Sequence, residues 1–98
     1  MTYSDTSTER LFAAIASMQS PDEVKALFAD LCTIKEIQDM AQRLDTAVLL
    51  HDKCSYQKIA AAVGVSTATI SRVNRCLTYG EGGYQIAIER MKETEKTK

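Results

Sequence analysis

Proline and glycine are scarce in this chain, at one and four of its 98 residues. Few positions can support the tight turns that join many short strands, and the shortage favours helices. No stretch approaches the roughly 20 apolar residues needed to cross a bilayer. Met1-Thr2-Tyr3-Ser4-Asp5 lacks a basic patch leading into an apolar run, so no secretory signal is expected and the location is expected to be cytoplasmic. Cysteine occurs an odd number of times and at wide spacing, as Cys32, Cys54 and Cys76. That argues against a disulfide framework and a CxxC-type zinc site, and the three read as free thiols in a reducing compartment. Histidine occurs once, at His51, with no HxE spacing, no glycine-rich phosphate loop and no nucleophile beside an evident base. Cys54 lies three residues from His51, which is weak ground for a reactive pair. No catalytic residue, no metal ligand and no obligatory cofactor are assigned.

What is present describes one folded domain, 45% hydrophobic and 26% charged. A chain this short buries a modest fraction of its surface and often gains stability by pairing with a second copy. A homodimer is therefore expected. The net charge of −1 seems to oppose nucleic-acid binding, yet the charges are segregated. Residues 1–52 hold nine acids against four bases. Residues 53–80 hold Lys53, Lys58, Arg72 and Arg75 and no acid at all. Such a basic module inside an acidic body is an electrostatic footprint for phosphate.

The order of apolar residues predicts about six helices. Residues 1–8 read as a polar, flexible arm. Leu11, Ile15 and Met18 then share a helical face. Ser20-Pro21-Asp22-Glu23 is a start signal, with Ser20 as cap, Pro21 at the first helical position and Glu23 closing a capping box. Val24, Leu27, Phe28 and Leu31 follow at the spacing of a buried stripe. Thr33 and Glu36 form a second capping box before the longest helix, whose face is Ile37, Met40, Ala41, Leu44, Ala47 and Val48. His51-Asp52-Lys53 ends it. Ser55 caps a short helix carrying Ile59, Ala60 and Val63, Gly64 breaks the pattern, and Ser66 caps a helix burying Ile70, Val73 and Leu77. Residues 79–83, rich in glycine, end that helix flexibly. A last helix carries Tyr84, Ala87, Ile88 and Met91. Residues 93–98 read as a charged tail, leaving 9–92 as the single domain.

From Tyr56 to Arg75 the residues resemble the helix-turn-helix of bacterial repressors. Ile59, Val63, Ile70 and Val73 stand at its apolar contacts, Ala60 where the helices touch, Gly64 at the turn and Val65 beside it. A plain helical hairpin would share some of these features; the outward face of the second helix is what distinguishes a reader of DNA. With Ile70, Val73 and Leu77 inward, Ser66, Thr67, Ala68, Ser71, Arg72 and Arg75 are left facing out. Ser and Thr near a helix N-terminus bond phosphates or base edges, Ala68 and the Thr67 methyl suit a thymine methyl, and arginine binds guanine bidentately. Lys53 and Lys58 suit phosphate contacts.

Ala68-Thr69-Ile70-Ser71-Arg72 resembles the Ala-Thr-Ile-Thr-Arg run of the tryptophan repressor. Together with residues 31–36, Gln42-Arg43-Leu44 and Arg75-Cys76-Leu77-Thr78-Tyr79-Gly80, it makes roughly residues 9–92 similar to the tryptophan-repressor-like proteins called YerC/YecD. The resemblance implies an all-α, intertwined homodimer, two chains interlocking through their N-terminal helices so that two recognition helices meet successive major grooves. It implies a DNA-binding transcriptional regulator, most naturally a repressor, acting on double-stranded DNA. It also implies a corepressor site for L-tryptophan, with Arg43 and Arg72 holding the ligand and Thr33 at the mouth. Here the sequence departs from the repressor, which has Gly-Ser-Asn-Ser after the second arginine where this chain has Val73-Asn74-Arg75-Cys76, and Val73 would intrude on a ligand. Two readings of the arginines stay open: an effector site, or a solvated Arg43 and an Arg72 that meets DNA alone. The rival function is a dimeric protein-interaction module without specific DNA readout, whose binding would not weaken steeply with salt.

Overall fold

The computed structural model describes residues 6–96. They form six helices: α1 Thr6–Ala16, α2 Pro21–Leu31, α3 Ile34–His51, α4 Tyr56–Val63, α5 Thr67–Tyr79 and α6 Gly83–Lys96. Among the described residues there is no strand. Contacts gather into two units, residues 1–37 and 38–98.

In the first unit the starts of the helices follow their capping residues. Ser20 Oγ accepts from the Glu23 amide at 3.2 Å, and Glu23 reaches back to the Gln19 amide at 2.8 Å, one residue ahead of the cap itself. Pro21 costs no helical hydrogen bond at the first position, where the amide would be unpaired in any case. The second capping box is reciprocal: Glu36 N donates to Thr33 Oγ1 at 3.1 Å and Thr33 N to Glu36 Oε1 at 2.8 Å. α1 begins at Thr6, so three residues of the expected flexible arm are helical; Glu9 in the first turn suits the positive end of the helix dipole. The rest of that arm lies outside the described residues.

The apolar stripes of α1 and α2 are present but not buried. Neither helix contains a buried residue, and Leu11, Phe12, Leu31 and Ile34 are 39%, 51%, 53% and 77% exposed. Short helices owe most of their stability to packing of an apolar face, and these stripes leave part of theirs on the surface.

The second unit has a core. Ala47 of α3, Val73 of α5 and Ile88 of α6 are buried together, with Val48, Leu50, Leu77 and Tyr84 packed around them. Ile59 and Ile70 are fully buried as well. Thr46, also fully buried, satisfies its hydroxyl by donating to the Gln42 carbonyl one turn back at 2.8 Å. On the expected stripes Met40 and Met91 remain 38% and 40% exposed.

α3 closes with a crossed pair of hydrogen bonds, Lys53 N to Leu50 O and Cys54 N to Leu49 O, both 3.0 Å. This Schellman closure requires a left-handed residue, and Lys53 supplies it at φ 67° where glycine is usual. The turn from α4 to α5 uses a real glycine, Gly64 at φ 81°. A Cβ there would meet no atom within 4 Å, so the requirement is for backbone conformation and not for space. At the C-terminus the expected charged tail is instead helical through Lys96, consistent with the strong helix formers Met91, Lys92 and Glu93, while residues 97–98 lie outside the described part. Lys92 Nζ lies 2.9 Å from Asp52 Oδ1, joining α6 to the end of α3, and His51 Nδ1 lies 3.6 Å from the same oxygen.

Two predictions follow from these closures. Gly64→Ala should destabilise the protein by about 1 kcal/mol in a urea titration, the cost of a left-handed residue with a Cβ; no loss would mean that the turn relaxes. The hydrogen bond from Lys92 is the main influence holding the Asp52 carboxyl below the ordinary aspartate range; desolvation opposes it, and the charges of Lys92 and His51 assist. Asp52 thus keeps its charge to lower pH folded than unfolded, and its contribution is present above the unfolded pKa and lost as the pH falls through the folded one. Lys92→Met should lower the melting temperature at pH 7, and the difference should shrink once the pH falls below about 3.9, the usual aspartate value, and vanish below the lower folded one. An equal difference at both ends would assign the effect to packing.

Candidate nucleic-acid interface

The helix-turn-helix is built by three local devices. Ser55 caps α4 by accepting from the Lys58 amide at 3.2 Å. Gly64 ends α4 and donates its amide to Ala60 O at 2.9 Å. Ser66 caps α5 by accepting from the Thr69 amide at 3.1 Å, and its hydroxyl donates to Thr69 Oγ1 at 3.1 Å. α5 then buries Ile70 and Val73, with Leu77 half-buried against the core.

Burial of that stripe leaves Thr67, Ala68, Ser71, Arg72 and Arg75 exposed along the other side of α5. Ser66 is exposed too, but its hydroxyl is committed to the cap, which restricts what it can offer a ligand. Lys53 and Lys58 are both exposed, Lys53 at the left-handed turn after α3 and Lys58 on the first turn of α4. No acid falls between residues 53 and 80, so the whole surface of this segment carries one sign of charge. The apolar groove beside it, lined by Leu49, Cys54, Lys58, Ala61 and Ala62, takes up the Cys54 thiol, while His51 faces Asp52.

A cavity of about 280 Å³ opens beside the recognition helix. Asp39, Gln42 and Arg43 line it from α3, Val65 from the turn, and Thr69 and Arg72 from α5. The two arginines singled out in the sequence are thereby brought to one site. Arg43 Nε donates to the Asp39 carbonyl of its own helix at 3.3 Å, and the residue is half-buried at the cavity wall. Val73 does not line the cavity: it is 2% exposed and packs in the core with Ala47 and Ile88, about 100° around α5 from Arg72. Thr33 is not among the lining residues, and its hydroxyl caps α3. The sequence reading missed Asp39, Gln42, Val65 and Thr69. The helical spacing of 39, 42, 43 and 46, a polar stripe on the longest helix, was the available signal.

The family model for Trp repressor protein matches residues 6–92. The uncharacterised protein YerC of Bacillus subtilis (strain 168) is 51% identical over 87 residues, covering 89% of this chain and 84% of that protein. A crystal structure of a TrpR-like protein from Eubacterium eligens superposes with a TM-score of 0.87 at 45% identity, over 91% of this chain and 92% of the other. That of a candidate Trp repressor from Staphylococcus aureus gives 0.85 at 39% identity, over 90% and 88%. The six helices, the turn at Gly64 and these likenesses over nearly the whole length agree: the chain belongs to the Trp repressor family, a family of regulators and not of enzymes.

Proposed function

We propose that this protein is a sequence-specific regulator of transcription, a repressor, which binds double-stranded DNA as a homodimer with α5 in the major groove. The observation that carries this reading is the face of α5. Thr67, Ala68, Ser71, Arg72 and Arg75 stand exposed on a helix whose other side is locked into the core, within a segment bearing four bases and no acid. Arg72 and Arg75 read base edges, Thr67 and Ala68 meet thymine methyls, and Ser66 and Ser71 add polar contacts at the groove. Lys53 and Lys58 anchor phosphates. The exposed apolar stripes of α1 and α2 support pairing with a second copy, which would place two recognition helices on half-sites about one DNA turn apart.

The shared cavity supports a narrower reading of the same protein. Two guanidinium groups with a carboxylate-bearing residue beside them suit a small amino acid, L-tryptophan being the one the family name suggests. A regulator with such a site changes its DNA affinity when the ligand binds.

Incubation of the protein with sheared genomic DNA, with and without L-tryptophan, and sequencing of the retained fragments tests both. The expected result is a two-fold motif, and its dependence on tryptophan decides the effector. Absence of any enriched motif in either condition would favour the protein-interaction module. On a recovered site Arg75→Ala should cost about 1–3 kcal/mol and relax the preferred sequence, whereas Lys58→Ala should weaken every DNA alike and lower the salt slope by about one. Identical losses on all DNA for both variants would refute this division of labour. Ile34→Glu tests the dimer by sedimentation: an acid in the first turn of α3 suits the helix dipole, so a halved mass with retained helicity is expected. A variant that stays at the wild-type mass would remove Ile34 from the interface.

A further inference from the structure

Gln42 stands one residue before Arg43 on α3, and its side-chain amide donates a hydrogen bond of 3.4 Å to the backbone carbonyl of Val63. Val63 is the last residue of α4. The final four carbonyls of a helix have no partner within it and must be met by water, a tightened turn or a side chain. Here the partner comes from the scaffold helix, 21 residues earlier in the chain. The carbonyl it holds immediately precedes Gly64, where the chain turns toward α5.

Gln42 is itself well fixed. Its own carbonyl accepts from the fully buried Thr46, and its side chain is part-buried. It also lines the cavity whose other wall is Val65, Thr69 and Arg72, the residues that follow the turn. One amide thus touches the end of the first helix of the motif and faces the start of the second.

We propose that Gln42 is a positioning residue for DNA recognition, fastening the α4–α5 turn to α3 and so fixing the direction in which α5 presents its reading face. The proposal rests on the DNA-binding reading above and adds a residue to it that acts through the turn. Base readout demands placement within about half an ångström, while contacts from long, flexible lysines to phosphate tolerate displacement. Loosening the turn therefore penalises a chosen sequence more than DNA in general.

Gln42→Met keeps the length and helix propensity of the side chain and removes its donor. In the protein without DNA, amide hydrogen exchange across residues 64–66 should rise about fivefold, the loss of one ordinary hydrogen bond, with the Ile88 amide unchanged as a measure of the intact core. Unchanged exchange at the turn overturns the proposal whatever happens on DNA. On the site recovered by selection, affinity should fall about fivefold or more, with affinity for unrelated DNA and its salt slope at wild-type values. Equal loss on both kinds of DNA overturns it. A wild-type chain that selects no site overturns the DNA-binding reading and this role with it, whereas a wild type that selects one and a variant that matches it overturn the role of Gln42 alone.

Discussion

Burial of one stripe of α5 is the constraint on which the candidate interface depends. Ile70 and Val73 are at most 2% exposed, and neither can turn outward without exposing the apolar surface that holds α5 to its neighbours. A helix with 3.6 residues per turn that commits positions 70, 73 and 77 inward has no choice about the others. The reading face is the complement of the core. Its composition is then a matter of sequence, and the sequence supplies hydroxyls, a methyl and two arginines there and no acid.

The same economy governs the electrostatics. The net charge of −1 hides a segregation: every acid lies outside residues 53–80, which hold four bases. Asp52, the acid just before that segment, is paired with Lys92 of α6 and faced by His51, so its charge is partly offset next to the four bases. The acidic first half of the chain carries the exposed apolar helices. Their stripes are as regular as those of the buried helices, and a second copy of the chain is the occupant proposed for them above.

Arg72 stands at the junction of two roles. It is exposed on α5 and also lines the cavity with Arg43, so any occupant of that cavity would touch a residue of the proposed reading face. Gln42 lies in the same wall and holds the turn. Scaffold, turn and reading helix therefore meet at one small group of side chains.

Much of this was legible in the sequence because it is local. Capping residues sit within four positions of the amides they satisfy, so Ser20, Thr33, Ser55 and Ser66 announced their helices, and Gly64 announced the turn. The outward face of α5 followed from spacing, the resemblance to bacterial repressors supplied the helix-turn-helix, and the resemblance to the Trp repressor supplied the family. Where the local reading failed, the cause was non-local. Lys53 adopts a glycine conformation because the two crossed hydrogen bonds that close α3 demand it there. Val73 clears the cavity because α3 and α6 claim it for the core. The charged end of the chain stays helical to Lys96, with Lys92 held by Asp52 forty residues away in the chain. By itself the sequence determined where the capped helices start and which face of α5 is left over, since both depend on periods and caps of a few residues. Only the tertiary structure decided that Arg43, Gln42 and Arg72 share one site, because their meeting depends on how α3 crosses the turn, and no pattern along the chain encodes a crossing.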